Sequence, residues 1–186
     1  MSITTLVTTM AVAGNAYQIS KWAIDATISG IRFSIQTIHK VLESNPKLTV
    51  YTEPIDLYAE LEVMDAMVVS LSGYTMDKDE TDINIKPIEI SLYNLQKSIN
   101  LIHEIIKKLN ILIESHQQLY FYSWRTPSYL PVIDQLQSEW NIVLQRKQVL
   151  LQAIQFVANN VQISMANRVY KNVQVERENE KISNIS

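Results

Sequence analysis

The chain has 186 residues, of which 47% are hydrophobic and 19% are charged. This composition indicates one domain, or one domain with an extension, and excludes a disordered tail, a collagen-like chain and a low-complexity chain. Three glycines and five prolines are too few for the turns of a β-sandwich or barrel, so we expect long helices. The absence of cysteine excludes disulfide frameworks and thiolate chemistry, and the formal charge of −3 gives no attraction to nucleic acid.

The first 20 residues carry no charged side chain, and residues 1–14 are predicted to form a separate N-terminal segment. Ile3, Val7 and Met10 are spaced by four and three residues, which predicts an amphipathic helix with an uncharged polar face. The segment is too short to cross a bilayer, and it lacks the basic residues that open a secretory signal. We expect these three residues to contact the protein's own helices or a neighbouring subunit, with contact to a membrane surface as the alternative.

Apolar residues alternate at spacings of four and three along most of the following chain, which is typical of heptads in packed helices. Residues 15–160 are predicted to form an all-α, elongated, up-down-up-down four-helix bundle with heptad seams, because the connections between helices are short. The predicted helices cover residues 15–44, 53–72, 87–122 and 128–160.

Several boundary residues support these helix limits. A bend or a break is expected near Gly14 and Asn15, and Thr52 and Ser128 are positioned to cap the second and fourth helices. Residues 161–186 are predicted to form a helical extension whose last part, from Glu176 onward, is frayed.

The sequence lacks the motifs that carry catalysis or metal binding. It has no Glu-x-x-His motif, and His39, His103 and His116 are not spaced as metal ligands. The acidic stretch 77–82 has Asp82 where a calcium loop needs glycine. Only three widely separated glycines occur, so there is no phosphate loop. We therefore predict no catalytic residues, no metal site, no cofactor and no enzymatic activity.

One group of residues departs from the background of the sequence. Five of the aromatic residues fall within ten positions, beside an arginine, at the predicted turn between the third and fourth helices. They are Tyr120, Phe121, Tyr122, Trp124 and Tyr129, with Arg125. Such rings serve protein hot spots and membrane interfaces, and they also close the open end of a bundle. We expect these residues to close the open end of the bundle or, as the alternative, to form an interaction site for a protein partner or a membrane interface.

The unequal lengths of the predicted helices leave apolar surface that only another chain could cover. The leading hypothesis is therefore a non-enzymatic structural or assembly protein, acting as a scaffold, coat or adaptor subunit through protein–protein contacts, most simply as a homo-oligomer. We expect it in the cytoplasm or within a protein assembly rather than secreted. The alternative is a membrane-active helical bundle, pore-forming or cell-death-like, that inserts its N-terminal helix into a bilayer.

Overall fold

The computed structural model describes residues 3–72, 85–118 and 128–183, and describes side chains from position 22 to 175 and at 177 within those ranges. In chain order the α-helices are α1 (Ile3–Ser44), α2 (Thr49–Thr52), α3 (Leu57–Ser72), α4 (Lys86–Gln117) and α5 (Leu130–Ser183). No strand occurs in the described ranges, and the prediction of an all-α fold is confirmed.

Helix α1 is continuous from Ile3 to Ser44, so the prediction of a break near Gly14 and Asn15 is wrong. A single glycine inside a helix lowers the stability of that helix by only about 1 kcal/mol relative to alanine, and the helix-forming residues around it offset this loss. The helix ends where the sequence indicates, because Asn45 precedes Pro46 and a residue before proline is held in an extended conformation. The Asn45 side chain accepts a hydrogen bond from the Lys47 N–H at 3.1 Å and opens a short 3-10 helix.

Helix α3 begins at Leu57 and not near residue 53, because Asp56 adopts the left-handed conformation with φ of 49°. Residues before it form the short helix α2 and a 3-10 turn, Glu53–Ile55. The prediction that Thr52 caps this helix is wrong, since its hydroxyl donates to the Leu48 carbonyl at 3.2 Å instead.

Helix α5 has 54 residues and is about 80 Å long at 1.5 Å per residue. The predicted fourth helix and the predicted C-terminal extension are one helix, which also includes the positions from Glu176 to Ser183 that were expected to fray. Tyr129, rather than Ser128, directly precedes it, and the Tyr129 carbonyl accepts hydrogen bonds from the backbone of its first turn.

Helix α1 packs against both α3 and α4. It runs antiparallel to α3, because the Arg32 guanidinium meets Asp65 at 3.0 Å while Tyr58, near the start of α3, donates to Glu43 near the end of α1. Residues later in α1 therefore contact residues earlier in α3.

Helices α1 and α4 run parallel to each other, because the antiparallel helix α3 lies between them in the chain. Ser34 donates to the Asn100 side chain at 2.8 Å, and further along Asn45 donates to Asn110 at 2.8 Å. Paired polar side chains within an apolar interface fix which residues of the two helices face each other.

Helix α5 packs antiparallel on α4, with Arg146 donating to the Asn94 carbonyl near the start of α4 and Tyr129 beside His116 near its end. It also touches the start of α3. The Trp140 indole donates to the Ile55 carbonyl at 2.9 Å.

One continuous apolar core lies between α1, α3, α4 and α5. Each of these helices contributes buried residues at spacings of three and four, and every such Leu, Ile or Val side chain stabilises the fold by about 1.5–3 kcal/mol. The core includes Ile31, Ile35, Ile38, Leu57, Leu61, Met64, Leu92, Leu95, Ile99, Ile102, Ile106, Leu109, Leu136, Trp140, Val143 and Leu150. Lys147 interrupts this pattern in α5, where its ammonium lies 2.6 Å from the Glu60 carboxylate.

Candidate functional site

Most of the predicted aromatic site lies outside the described residues. This holds for Tyr120, Phe121, Tyr122, Trp124 and Arg125. The backbones of Ile3, Val7 and Met10 lie within α1, and their side chains are outside the described set.

Tyr129 is the described member of the aromatic group, and it closes one end of the apolar core. Its hydroxyl is hydrogen-bonded to the Tyr51 hydroxyl at 3.2 Å, and its ring meets the buried His116 ring edge-on at 5.6 Å between centroids. The hydrogen bond with Tyr51, together with burial, raises the pKa of Tyr129 to about 12. Tyr129 is therefore a neutral packing residue at physiological pH, which fits the expectation of capping for this position.

The histidines do not form a metal centre in the structure. His39 on α1 stacks on Tyr58 of α3 with 4.1 Å between ring centroids, and His116 on α4 lies edge-on to Tyr129. Among the described residues, no group of three or more histidine or carboxylate side chains is arranged to hold a metal ion.

A shallow cleft of about 280 Å³ lies between α1 and α4. Ala23, Ile24 and Tyr93 line it, and the ion pair between Lys86 and Glu89, at 3.2 Å, lies at its edge. The cleft shows that position 23 of α1 is level with the beginning of α4. The 20 preceding residues of α1, from Ile3, therefore extend past that end of α4.

Helix α5 extends past the same end of the molecule. Arg146 contacts Asn94, which lies eight residues after the start of α4, so the antiparallel α5 passes the beginning of α4 near Ile154. About half of α5 follows this point, and the exposed Met165 and Val169 lie there. These positions are apolar, and within the described chain α4 does not cover them.

A line of large apolar side chains runs along the exposed side of α5. Its four members are seven residues apart and therefore lie on one face of the helix. Their exposed fractions are 53% for Val149, 54% for Phe156, 59% for Ile163 and 66% for Tyr170. We call these four residues the α5 stripe. It begins over the bundle and continues into the part of α5 beyond α4.

The chain around the first three residues of the α5 stripe carries no charge, whereas Arg168 and Lys171 flank Tyr170. Residues 148–167 contain no Asp, Glu, Lys or Arg, and their polar side chains are mostly amides. Those amides are Gln148, Gln152, Gln155, Asn159, Asn160, Gln162 and Asn167. A 30 Å length of helix with large apolar side chains and neutral amides is suited to binding another protein surface, because interface cores are depleted of charge.

Sequence reasoning missed the α5 stripe. The seven-residue spacing of Val149, Phe156, Ile163 and Tyr170 is visible in the sequence, but a spacing of seven fits a buried seam as well as an exposed one. The core seam of α5 is the stronger pattern in the sequence, because it runs through Trp140 and Val143 with closer three- and four-residue steps.

The fold and this surface define an all-helical protein with one long exposed apolar face. No protein-family model, no curated protein and no solved structure matches this chain. Within the described ranges, none of the helices combines the length and apolarity needed to cross a bilayer.

Proposed function

We propose that this chain is a non-enzymatic assembly protein, an up-down-up-down four-helix bundle with heptad seams that acts as a scaffold, coat or adaptor subunit. It associates with other protein chains through the α5 stripe and the adjoining uncovered part of α5. The rest of the bundle serves to hold this helix rigid, because a packed apolar core supports half of its length.

The α5 stripe is the observation that carries this proposal. Four large apolar side chains, each more than half exposed, lie along about 32 Å of one helix face. Isolated exposed apolar residues are common, whereas large apolar residues repeated every seven positions on one face are typical of a helix that packs against a partner. Phe156 and Tyr170 are also of the residue types that are enriched at protein interfaces.

The face of α5 beyond α4 adds a second reason. Val161 follows the buried Val157 on the core-facing side of the helix, and the exposed Met165 and Val169 continue it. Covering these side chains with another chain would stabilise the assembly by up to about 1.5–3 kcal/mol for each one fully buried.

Sedimentation equilibrium at micromolar concentration tests the proposal. We expect the native chain to have a mass above that of one copy, and Phe156→Glu to reduce this to a single copy because a charge would enter the apolar contact. Phe33→Glu is the matched control, since Phe33 is a phenylalanine of 66% exposure on α1, away from α5. We expect this variant to assemble as the native chain does.

Two results would overturn the proposal. A native chain that stays a folded single copy at every concentration, and retains no protein from its native extract, would exclude an assembly role. Equal assembly of the Phe156→Glu and Phe33→Glu variants with the native chain would exclude the α5 stripe as the surface.

A further inference from the structure

We infer that the α5 stripe binds a second copy of itself, with two α5 helices packed antiparallel across a two-fold axis near Val161. The inference rests on the proposed function and names its partner. The stripe lies across the middle of α5, and its four side chains are exposed in a single copy.

The chemistry beside the stripe is self-complementary. An amide side chain both donates and accepts hydrogen bonds, so identical amides on two copies satisfy each other. Asn160 and Asn167 border the stripe on one side, and Gln155 and Gln162 border it on the other. A two-fold contact places the same surface on both sides, and a surface without charge meets its copy without repulsion.

The side chains along the stripe also fit an antiparallel copy by size. Three residues after each large stripe residue, on the same face of the helix, lies a smaller or polar exposed residue. In an antiparallel pair centred near position 161, every large residue faces one of these. The facing pairs are Val149 with Val173, Phe156 with Ala166, Ile163 with Asn159, and Tyr170 with Gln152.

A parallel pair in register fits less well. It would place each large stripe residue, such as Phe156, against its own counterpart, and each smaller residue, such as Ala166, against its own counterpart, so the two surfaces would not complement each other by size.

Distances between spin labels test the arrangement, and the absence of cysteine makes single labelling straightforward. Cysteine is introduced at one site per variant, as Arg168→Cys, Asn172→Cys or Val175→Cys, at three exposed positions on the side of the helix away from the stripe. For an antiparallel pair centred near position 161, we expect separations along the helix axis of about 21, 33 and 42 Å, from 1.5 Å per residue. Double electron–electron resonance measures the series, and dilution with unlabelled chain identifies signals between copies.

The outcomes separate this inference from the proposed function. A rising series supports the antiparallel pair, and loss of the signal in the Phe156→Glu background, with retention in the Phe33→Glu background, supports its location. Three equal short distances, or a series that falls from position 168 to 175, would overturn the inference while the chain still associates. A chain that sediments as one copy would overturn both.

Discussion

The two ends of the bundle differ in how their aromatic and large apolar side chains are packed. At the end where α5 begins, Tyr129, Tyr51 and His116 pack together, and the Trp140 indole is anchored to the connection before α3. At the other end α1 and α5 extend past the start of α4, and the α5 stripe is exposed. The comparison teaches that the chain packs the rings of one end against its own residues, whereas it leaves the line of apolar side chains in the α5 stripe exposed.

The largest expected effect is at the closed end. Trp140→Ala removes a side chain of 1% exposure and leaves the Ile55 carbonyl without its indole donor, so we expect the free energy of unfolding to fall by about 3–5 kcal/mol. Urea unfolding followed by circular dichroism measures this loss. Trp22→Ala is the control, because Trp22 is 71% exposed, and a change within about 0.5 kcal/mol is expected for it. Equal losses in the two variants would contradict the difference in burial.

A smaller effect is expected from Tyr129→Phe, which keeps the ring and removes the hydroxyl bonded to Tyr51. We expect a loss of about 0.5–1.5 kcal/mol near neutral pH, the contribution of one hydrogen bond. The effect depends on pH, since the pKa of Tyr129 is raised to about 12 in the folded chain from an ordinary value near 10. The raised pKa means that the folded state holds the hydroxyl proton more tightly, so its contribution is complete below about pH 10 and is lost as pH rises through about 12.

The difference in unfolding free energy between the native chain and Tyr129→Phe isolates this residue from the other eight tyrosines. We expect the difference to be constant from pH 7 to about 9 and to shrink between about pH 10 and 12. A difference that stays constant through pH 12 would show that the hydroxyl pair does not stabilise the closed end. Asp and Glu titration does not interfere, because carboxyl groups are ionised throughout this range.

Sequence periodicity was sufficient for the core but not for the exposed face. Ile31 and Leu95 lie at positions where three- and four-residue spacing predicts burial, because one helix face repeats every 3.6 residues whatever its neighbours are. Exposure of Phe156 could not be predicted in this way, because it depends on which helices are neighbours. The start of α3 was also missed, since the left-handed conformation of Asp56 has no glycine to mark it in the sequence.

The smallest expected effect on folding is at the open end. Tyr170→Ala changes a side chain of 66% exposure on the α5 stripe, so the unfolding free energy of a single copy is expected to change by less than about 0.5 kcal/mol. The same substitution removes an aromatic side chain that faces Gln152 of the second copy in the inferred pair, so we expect weaker association.

Tyr93→Ala is the matched control, because Tyr93 is 62% exposed on α4 and lies away from the stripe. Urea unfolding at two protein concentrations separates the two effects, since association stabilises a folded chain more at the higher concentration. We expect the native chain and Tyr93→Ala to gain stability with concentration and Tyr170→Ala to gain less. A Tyr170→Ala variant that is less stable by the same amount at both concentrations would contradict this expectation. It would mean that Tyr170 stabilises the fold of a single copy, as Tyr129 does at the closed end, and not the contact between copies.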